Sequence, residues 1–209
     1  MEQLLSAAEI EAGVTRLARA IQHDYAGRSL TLVGVLTGSV VLLADLIRRI
    51  DLPIRVALVQ TRSYRGGATR PGTLAVHPDF TPDVAGRHVL VVDDIFDTGR
   101  TLSALLDLLD DLGPKSIHSA VLLRKTGRAK VARAPDYVAF EIPDRFVVGY
   151  GLDYRDLYRN LPYLAALEAH ELETTESDAA ESGGTGGGHR GADVVGPPLA
   201  GERREEPGP

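Results

Sequence analysis

The segment VLVVDDIFDTGRTL, residues 89–102, is the feature that most restricts how this chain can fold. A run of β-forming apolar residues is followed at once by Asp93, Asp94 and Asp97, and then by a Thr-Gly turn into a helical pattern. Near-continuous apolar runs of this length are typical of strands that are covered on both faces, as in parallel sheets. The segment therefore predicts a strand, a turn and a helix, with the carboxylates at the carboxyl end of the strand.

The same alternation of strand and helix patterns runs through the chain from its first residues. Ser6 followed by Glu9 is a capping-box pattern, which predicts a first helix that is stopped by Gly27. Hydrophobic spacing predicts further strands at 30–36, 54–60, 88–94 and 116–124, and further helices at 40–50 and 100–113. This order predicts an α/β fold with a central, mainly parallel sheet flanked by helices, in which ligands bind beyond the carboxyl ends of the strands.

One connection is much longer than the others. The polar stretch at 61–87 lies between two predicted strands and is too long for an ordinary connection in a compact domain. Its SYRGG segment combines glycines, an arginine and an aromatic residue, the types that a lid over an anionic substrate needs. We therefore expect a flexible flap that contains a hairpin.

Charge divides the chain into two parts. Residues 1–167 hold 19 acidic and 20 basic residues, whereas the residues from 168 onward hold ten acidic residues and three arginines. The last part is also rich in Gly and Pro and nearly free of large apolar residues, so it cannot bury enough surface to offset the entropy of ordering. We expect a folded domain at 1–173 and a disordered acidic tail at 174–209.

Composition excludes several classes of protein and site. The chain has no cysteine, which excludes disulfides, thiolate metal sites and a cysteine nucleophile. It has no apolar run of membrane-spanning length, and its N-terminus lacks the features of a signal peptide. We therefore expect a cytoplasmic protein with no membrane partner, and the near-neutral body argues against a nucleic-acid partner.

The turn DTGRT has the parts of a phosphate cradle. Gly99 lets the backbone approach a ligand, Thr98 and Thr101 offer hydroxyls, and the amides at a helix N-terminus favour anions. Aspartates would repel a phosphate, so we expect them to bind a neighbouring polyol or a bound Mg²⁺. A sugar phosphate satisfies both halves of the pattern, whereas a helix cap alone needs one acid and not three.

The same segment resembles the phosphoribosyl-pyrophosphate-binding motif of type I phosphoribosyltransferases, and is most similar to that of the hypoxanthine-guanine branch. The resemblance extends from about Ile10 to Leu167, through GVLTGSVVLLADLIRRI, SYRGG, LLRKTGR and FEIPDRFVVGYGLDYRDLYRNLPYLAAL. It implies the type I fold with a small hood region and an active-site flap. It also implies a purine-salvage enzyme that uses Mg²⁺ to make IMP and GMP, and that assembles as a homodimer or homotetramer.

The resemblance further implies a role for each matching residue. The residues that bind phosphoribosyl pyrophosphate would be Thr37, Gly38, Ser39, Ser63, Tyr64, Asp93, Asp94, Asp97, Thr98, Gly99, Arg100, Thr101 and Arg159. Asp97 would also be the general base at the imidazole ring of the purine. The purine contacts would be Lys125, Phe146, Val147 and Asp153, and the metal ligands Asp93, Asp94 and Asp153. Lys125 would read the 6-oxo group, and Phe146 would stack on the base.

Two positions depart from the family pattern. Thr37 stands where the family often has lysine, which removes one cation from the pyrophosphate loop. Asp93 stands where the hypoxanthine-guanine enzymes often carry glutamate, so the carboxylate chemistry is retained with a shorter reach.

Each assignment also has an ordinary structural alternative. Lys125 could be a solvated loop cation, Phe146 a core aromatic, Asp153 a turn residue and Tyr64 a surface tyrosine, and Arg159 could simply pair with Asp156. Three alternatives to the implied activity also stay open. They are an enzyme restricted to xanthine or guanine, an RNA-binding regulator that shares the DDxxxTGRT segment, and a noncatalytic sugar-phosphate sensor.

Overall fold

The structure, a computed structural model, describes residues 1–63, 74–76, 81–168 and 170–172. In chain order its elements are β1 (Glu2–Leu5), α1 (Ala7–Asp24), β2 (Leu30–Leu36), α2 (Val40–Ile47), β3 (Ile54–Ser63), β4 (Leu74–Val76), β5 (His88–Phe96), α3 (Arg100–Asp110), β6 (Ser116–Lys125), β7 (Tyr137–Ile142), β8 (Val147–Val148) and β9 (Leu164–Ala166). All of them belong to one compact unit, Met1–Leu172.

The first helix begins as its capping pattern predicts. The Glu9 amide donates to the Ser6 hydroxyl at 3.3 Å, and the Ser6 amide donates to the Glu9 carboxylate at 2.8 Å. These reciprocal bonds satisfy two backbone donors that the helix itself cannot pair. The apolar residues of α1 recur on one side of the helix and are buried: Ile10, Val14, Leu17, Ala18 and Ile21.

The main sheet has six strands in the order β4-β3-β2-β5-β6-β7. Five of them, β2, β3, β5, β6 and β7, run parallel, and only β4 is antiparallel to its neighbour β3. Parallel neighbours cannot be joined by a tight turn, so the chain must cross over the sheet between them. The predicted fold class, a mainly parallel sheet flanked by helices, is therefore observed.

Both faces of the sheet are covered, which explains the near-continuous apolar sequence of its strands. Along β5, Leu90 and Val92 pack on the face covered by α1 and α2, whereas Val89 and Val91 pack on the face covered by α3. Burying a side chain of this size contributes roughly 1.5–3 kcal/mol. The core therefore lies in two layers, one on each side of β5.

The helices that follow two adjacent strands lie on opposite faces of the sheet. Strand β2 leads into α2 on one face, and its neighbour β5 leads into α3 on the other. In open α/β sheets such a reversal leaves a crevice at the carboxyl ends of the two strands, where ligands bind. Here that position lies between Leu36 and Phe96, the last residues of β2 and β5.

The structure differs from the sequence-based prediction in several elements. Helices α2 and α3 end three residues earlier than predicted, and a turn completes each segment. Strand β7 was not predicted. Neither was the second sheet, whose three short strands have the order β1-β9-β8. These strands span four residues or fewer, too few to establish a period.

The flap and the tail lie largely outside the described residues. Strands β3 and β4 pair antiparallel from Thr61 to Ser63 against Leu74 to Val76, at the base of the predicted flap. The flap residue Tyr64 and the predicted tail at 174–209 are not among the described residues. The flap, the hood region and the boundary at residue 173 stay predictions. Among the helices that the structure describes, none is long and apolar enough to span a membrane.

Candidate active site

A cavity of about 390 Å³ lies in the crevice between the ends of β2 and β5. Its lining includes most of the predicted phosphoribosyl-pyrophosphate contacts near the DTGRT turn: Gly38, Asp93, Asp94, Asp97, Thr98, Gly99 and Thr101. The fold thus brings residues from two separate strand ends into one cavity. Two further predicted contacts adjoin these residues in the chain and are exposed: Arg100 at the start of α3 and Thr37 just after β2.

The turn between β5 and α3 requires its glycine. Gly99 has φ +78°, in the left-handed region that residues with a side chain rarely adopt. A Cβ at this position would also overlap the ring of Phe96 and the side chain of Val131. Gly99 is the N-cap of α3 and supplies no side chain, so the first amides of the helix have no side-chain cap. Such amides are a ready site for an anion.

The loop after β2 packs tightly against β5. A Cβ at Gly38 would overlap the carboxylate of Asp94, so the two strand ends can approach only because residue 38 is glycine. The peptide bond between Leu36 and Thr37 is cis. Ser39 is fully buried, and its hydroxyl donates to the Val35 carbonyl at 2.6 Å. The Ser39 hydroxyl therefore already has a structural partner.

The carboxylates of Asp93 and Asp94 share one environment. The Asp94 amide donates to Asp93 at 3.0 Å, and the Ile95 amide donates to Asp94 at 2.7 Å. Burial raises the pKa of the Asp93 carboxyl well above its usual range, and the charge of Asp94 raises it further. Burial also raises the pKa of Asp94. A cation close to both carboxyls would favour the ionised form of each.

This pair suits a hard divalent cation. Mg²⁺ prefers oxygen ligands and is usually held by one or two carboxylates together with substrate phosphates. Within the described part of the chain, no group of three or more histidine or acidic side chains is placed to hold a metal by itself. The residues present therefore fit an ion that the substrate helps to bind, and not an all-protein metal cage.

Asp97 faces two cations beyond the end of β5. The Arg128 Nε donates to its Oδ1 at 2.9 Å, and the Lys125 Nζ lies 3.8 Å from its Oδ2. The hydrogen bond from Arg128, and then the charge of Lys125, hold the pKa of Asp97 below its usual range. The Asp97 carboxyl is therefore ionised at neutral pH.

A second recess, of about 220 Å³, adjoins the first and shares Asp94, Ile95 and Asp97 with it. Its other lining residues are the predicted purine contacts Lys125, Phe146, Val147 and Asp153, together with Leu152. The structure thus brings the four predicted purine residues together, next to the predicted phosphate site.

The side chains in the second recess differ in exposure. Phe146 is 42% exposed, which is unusual for a core aromatic, and it packs edge-on against Tyr154 with ring centroids 5.3 Å apart. Val147 is buried. The side chain of Lys125 is only 12% exposed, so it is not a solvated loop cation. The open face of Phe146 is available to a planar ligand.

Arg159 and Asp153, which were predicted separately, are paired in this structure. Arg159 Nη2 lies 2.7 Å from Asp153 and 3.1 Å from Asp156, and its Nη1 donates to the Gly151 carbonyl at 2.8 Å. Arg159 therefore makes the ordinary pair with Asp156, and it also contacts Asp153, which lines the second recess. Ser63 ends β3 at the base of the flap stretch, and Tyr64 lies outside the described residues.

Two charged residues of the site were not singled out from the sequence. Arg128 contacts Asp97, and Asp144 lies 3.3 Å from Lys125 and 3.4 Å from Arg128. Their only sequence signal is position: Arg128 stands three residues after Lys125, and Asp144 two residues before Phe146. Both spacings are also common for solvated loop charges.

A family model for the phosphoribosyl transferase domain matches residues 1–155 of the chain. This chain belongs to the phosphoribosyltransferase family. The hypoxanthine-guanine phosphoribosyltransferase of Streptococcus pneumoniae is 42% identical over 165 residues, which cover 79% of this chain and 92% of that protein. The family match spans the residues of both recesses.

Solved structures agree with this result. A crystal structure of a hypoxanthine phosphoribosyltransferase from Staphylococcus aureus has a TM-score of 0.76 and 38% identity, and the match covers 81% of this chain and 92% of that one. A Trypanosoma cruzi hypoxanthine phosphoribosyl transferase has a TM-score of 0.78 and 34% identity, with 85% and 96% covered. The predicted resemblance and fold class are confirmed, and the protein is a phosphoribosyltransferase of the hypoxanthine-guanine branch.

Proposed function

We propose that the protein transfers the 5-phosphoribosyl group of phosphoribosyl pyrophosphate to hypoxanthine or guanine, giving IMP or GMP and pyrophosphate, with Mg²⁺. The observation that supports this most is the pairing of Asp97 with Lys125 beside the open ring of Phe146, next to the phosphate cavity. A proton acceptor, a donor and a stacking surface together match the edge and the face of a 6-oxopurine.

The 5-phosphate binds at the turn before α3. The uncapped amides at the start of that helix donate to its oxygens, helped by the hydroxyls of Thr98 and Thr101. Gly99 permits the close approach, and the exposed Arg100 adds positive charge. The ribose hydroxyls donate to Asp93 and Asp94.

The pyrophosphate binds at the loop formed by Thr37, Gly38 and Ser39. Thr37 has no charge, and the Ser39 hydroxyl and amide both donate to the Val35 carbonyl, so we assign the main donor of this loop to the backbone amide of Gly38. Arg159 adds a cation near Asp94, and Ser63 and Tyr64 would close over the site as part of the flap. This loop therefore depends on backbone geometry more than on side-chain charge.

Asp93 and Asp94 would hold one Mg²⁺ and Asp153 a second. When bound, Mg²⁺ neutralises charge that develops on the departing pyrophosphate. The raised pKa values of Asp93 and Asp94 support this assignment, because a nearby cation would favour the ionised form of both carboxyls.

Asp97 is the general base. As a purine ring nitrogen bonds to C1 of the ribose, pyrophosphate leaves with the electron pair of the C1–O bond, and the purine imidazole proton passes to the Asp97 carboxylate. The lowered pKa of Asp97 keeps it in the ionised form that can accept this proton, and also makes it a weaker base than a free aspartate. A positioned base of this kind typically contributes about 100- to 10,000-fold to the rate.

Base choice follows from donors and acceptors. A lysine has only donors, and a 6-oxopurine presents an acceptor where adenine presents an amino donor. Lys125 therefore favours hypoxanthine, guanine or xanthine over adenine. The backbone of Val147, which lines the same recess as Lys125, would read the rest of the base edge.

The test is Mg²⁺-dependent release of pyrophosphate with hypoxanthine, guanine, xanthine, adenine and uracil offered separately to the wild type and to Asp97→Asn. We expect turnover with 6-oxopurines only, and a loss of about 100-fold or more in the mutant. Turnover with xanthine or guanine alone would instead identify the restricted enzyme. Retained binding of phosphoribosyl pyrophosphate without turnover of any base would overturn the proposal in favour of a sensor or a regulator.

We also propose that the chain is a cytoplasmic homodimer or homotetramer. Its lack of cysteine agrees with a reducing compartment. Four large apolar side chains on α2 and β3 are exposed and offer a surface for a second copy: Val40, Ile47, Val56 and Leu58.

A further inference from the structure

We infer that Arg128 and Asp144 are positioning residues for the purine site. We call Arg128 and Asp144 together the charged brace. It fixes the proposed base Asp97 and the proposed purine reader Lys125 relative to each other. This inference rests on the proposed function and assigns roles to two residues outside it.

Arg128 fixes the orientation of the Asp97 carboxylate. Its Nε donates to Oδ1 at 2.9 Å, within the range of a charge-assisted hydrogen bond. Oδ2 lies 3.8 Å from the Lys125 Nζ, which is beyond hydrogen-bond distance. Oδ1 is therefore occupied, and Oδ2 is the oxygen that can take the purine proton.

Asp144 holds Lys125, the other member of the Asp97–Lys125 pair. It lies 3.3 Å from the Lys125 Nζ and 3.4 Å from the Arg128 Nε. The Lys125 ammonium has three donors, so one can be held by Asp144 while another points to a ligand. Because Lys125 is 12% exposed and Asp144 is 48% exposed, the ammonium is held from the solvent side.

The four side chains come from separate parts of the chain and balance one another. Asp97 follows β5, Lys125 ends β6, Arg128 lies in the loop after it, and Asp144 follows β7. Two carboxylates and two cations leave no net charge. Without Arg128, the carboxylates of Asp97 and Asp144 would share the single cation of Lys125. Lys125 would then be drawn away from its proposed position at the purine 6-oxo group.

The geometry assigns different consequences to the two members of the brace. Loss of Arg128 frees the acceptor oxygen, so it should mainly slow the chemical step and lower kcat. Loss of the Asp144 charge frees Lys125, so it should mainly weaken base binding and raise the KM for the purine. Neither residue lines the phosphate cavity, and of the side chains they hold only Asp97 does, so binding of phosphoribosyl pyrophosphate should change much less than purine turnover.

The experiment is steady-state kinetics with hypoxanthine, phosphoribosyl pyrophosphate and Mg²⁺ on the wild type, Arg128→Met, Arg128→Lys and Asp144→Asn. Arg133→Met is the matched control, because Arg133 pairs with Asp107 at 3.7 Å and lines neither recess. Calorimetric binding of phosphoribosyl pyrophosphate and thermal unfolding are measured on each variant.

We expect Arg128→Met to lower kcat about 10- to 100-fold, as misplacement of a reacting group does. Arg128→Lys restores much of this loss because it keeps a cation beside Oδ1, and Asp144→Asn raises the purine KM with a smaller change in kcat. The control stays at the wild-type level.

Several results would overturn the brace. One is an Arg128→Met enzyme with wild-type kcat, and another is a loss of activity in both Arg128 variants that follows a loss of thermal stability. A wild type that turns over no 6-oxopurine would instead refute the proposed function, and the brace with it. The wild-type arm therefore separates the two failures.

Discussion

Asp93 and Asp97 are four positions apart in the chain, yet their surroundings shift their pKa values in opposite directions. Burial and the neighbouring Asp94 raise the pKa of Asp93, whereas the Arg128 guanidinium lowers the pKa of Asp97. Environments that separate the pKa values of nearby acids are typical of sites where those acids have different tasks. Here Asp97 is held in its ionised form, whereas a bound cation would favour the ionised form of Asp93.

The first prediction separates the structural role of Asp97 from its chemical role. Because the folded-state pKa is lowered, its stabilising effect is fully present above the unfolded pKa of about 3.9 and is lost as the pH falls through the folded pKa. The pair with Arg128 is about two-fifths exposed, so its contribution should be at most about 1 kcal/mol.

Urea unfolding of the wild type and Asp97→Asn, at pH values from 7 to below 4, measures this effect. We expect a difference in the free energy of unfolding of about 1 kcal/mol or less at pH 7, which shrinks below about pH 4. A much larger loss at pH 7 would show that Asp97 holds the fold, and the kinetic effect of the same substitution could then not be assigned to chemistry.

At the scale of elements, the site depends on how β2 and β5 end. Each strand is followed by a loop with a glycine at which a Cβ would overlap neighbouring side chains. Each loop leads to a helix, and the two helices lie on different faces of the sheet. The turn at Gly99 decides where α3 begins, and hence where its free amides point. A small change there should affect ligand binding more than folding.

Gly99→Ala tests this, with Gly113→Ala as its matched control. Both glycines have positive φ, but a Cβ at Gly113 meets nothing within 4 Å, whereas one at Gly99 overlaps Phe96 and Val131. We expect the control to cost only the backbone strain, about 1–2 kcal/mol. Gly99→Ala should add a loss of at least tenfold in the affinity for phosphoribosyl pyrophosphate, measured by calorimetry. Equal affinities in the two variants would place the phosphate elsewhere.

The sequence predicted the elements with a strong period and missed those without one. Strands β2, β5 and β6 are near-continuous apolar runs because helices cover both faces, and each helix has a regular apolar side. Strand β8 has two residues and cannot show a period. Arg128 and Asp144 were missed for a different reason, since their contacts to Asp97 and Lys125 join loops that only the fold brings together.

At the scale of the whole molecule, one surface is unusually apolar. Val56 and Leu58 are 48% and 39% exposed, and Val40 and Ile47 on α2 are 41% and 38% exposed. Leu58 and Leu43 of α2 both lie near the position that a Cβ of Gly34 would take, so β3 and α2 contribute to the same side of the sheet. Exposed apolar groups of this kind often mark an interface.

The proposed self-association predicts that charges on this surface separate the copies. Val56→Asp and Leu58→Asp together should shift the molar mass in solution to that of a single chain of 22.4 kDa, measured by light scattering after gel filtration. Leu157→Asp is the control, because Leu157 is 54% exposed and is part of no core cluster that the structure describes. The proposal would be contradicted if the wild type had the mass of a monomer. It would also be contradicted if the assembly stayed intact both in the Val56→Asp, Leu58→Asp variant and in the control.

The specificity of the wild type and Lys125→Gln for hypoxanthine over adenine tests the central claim most directly, because it depends on the one side chain proposed to read the purine. Lys130→Gln, which changes an exposed lysine in the loop after β6, is the control. We expect the ratio of kcat/KM values for the two bases to fall at least tenfold in Lys125→Gln and to stay unchanged in the control, since a glutamine offers an acceptor as well as a donor. An unchanged ratio in Lys125→Gln would contradict the account and place the reading of the base on other residues.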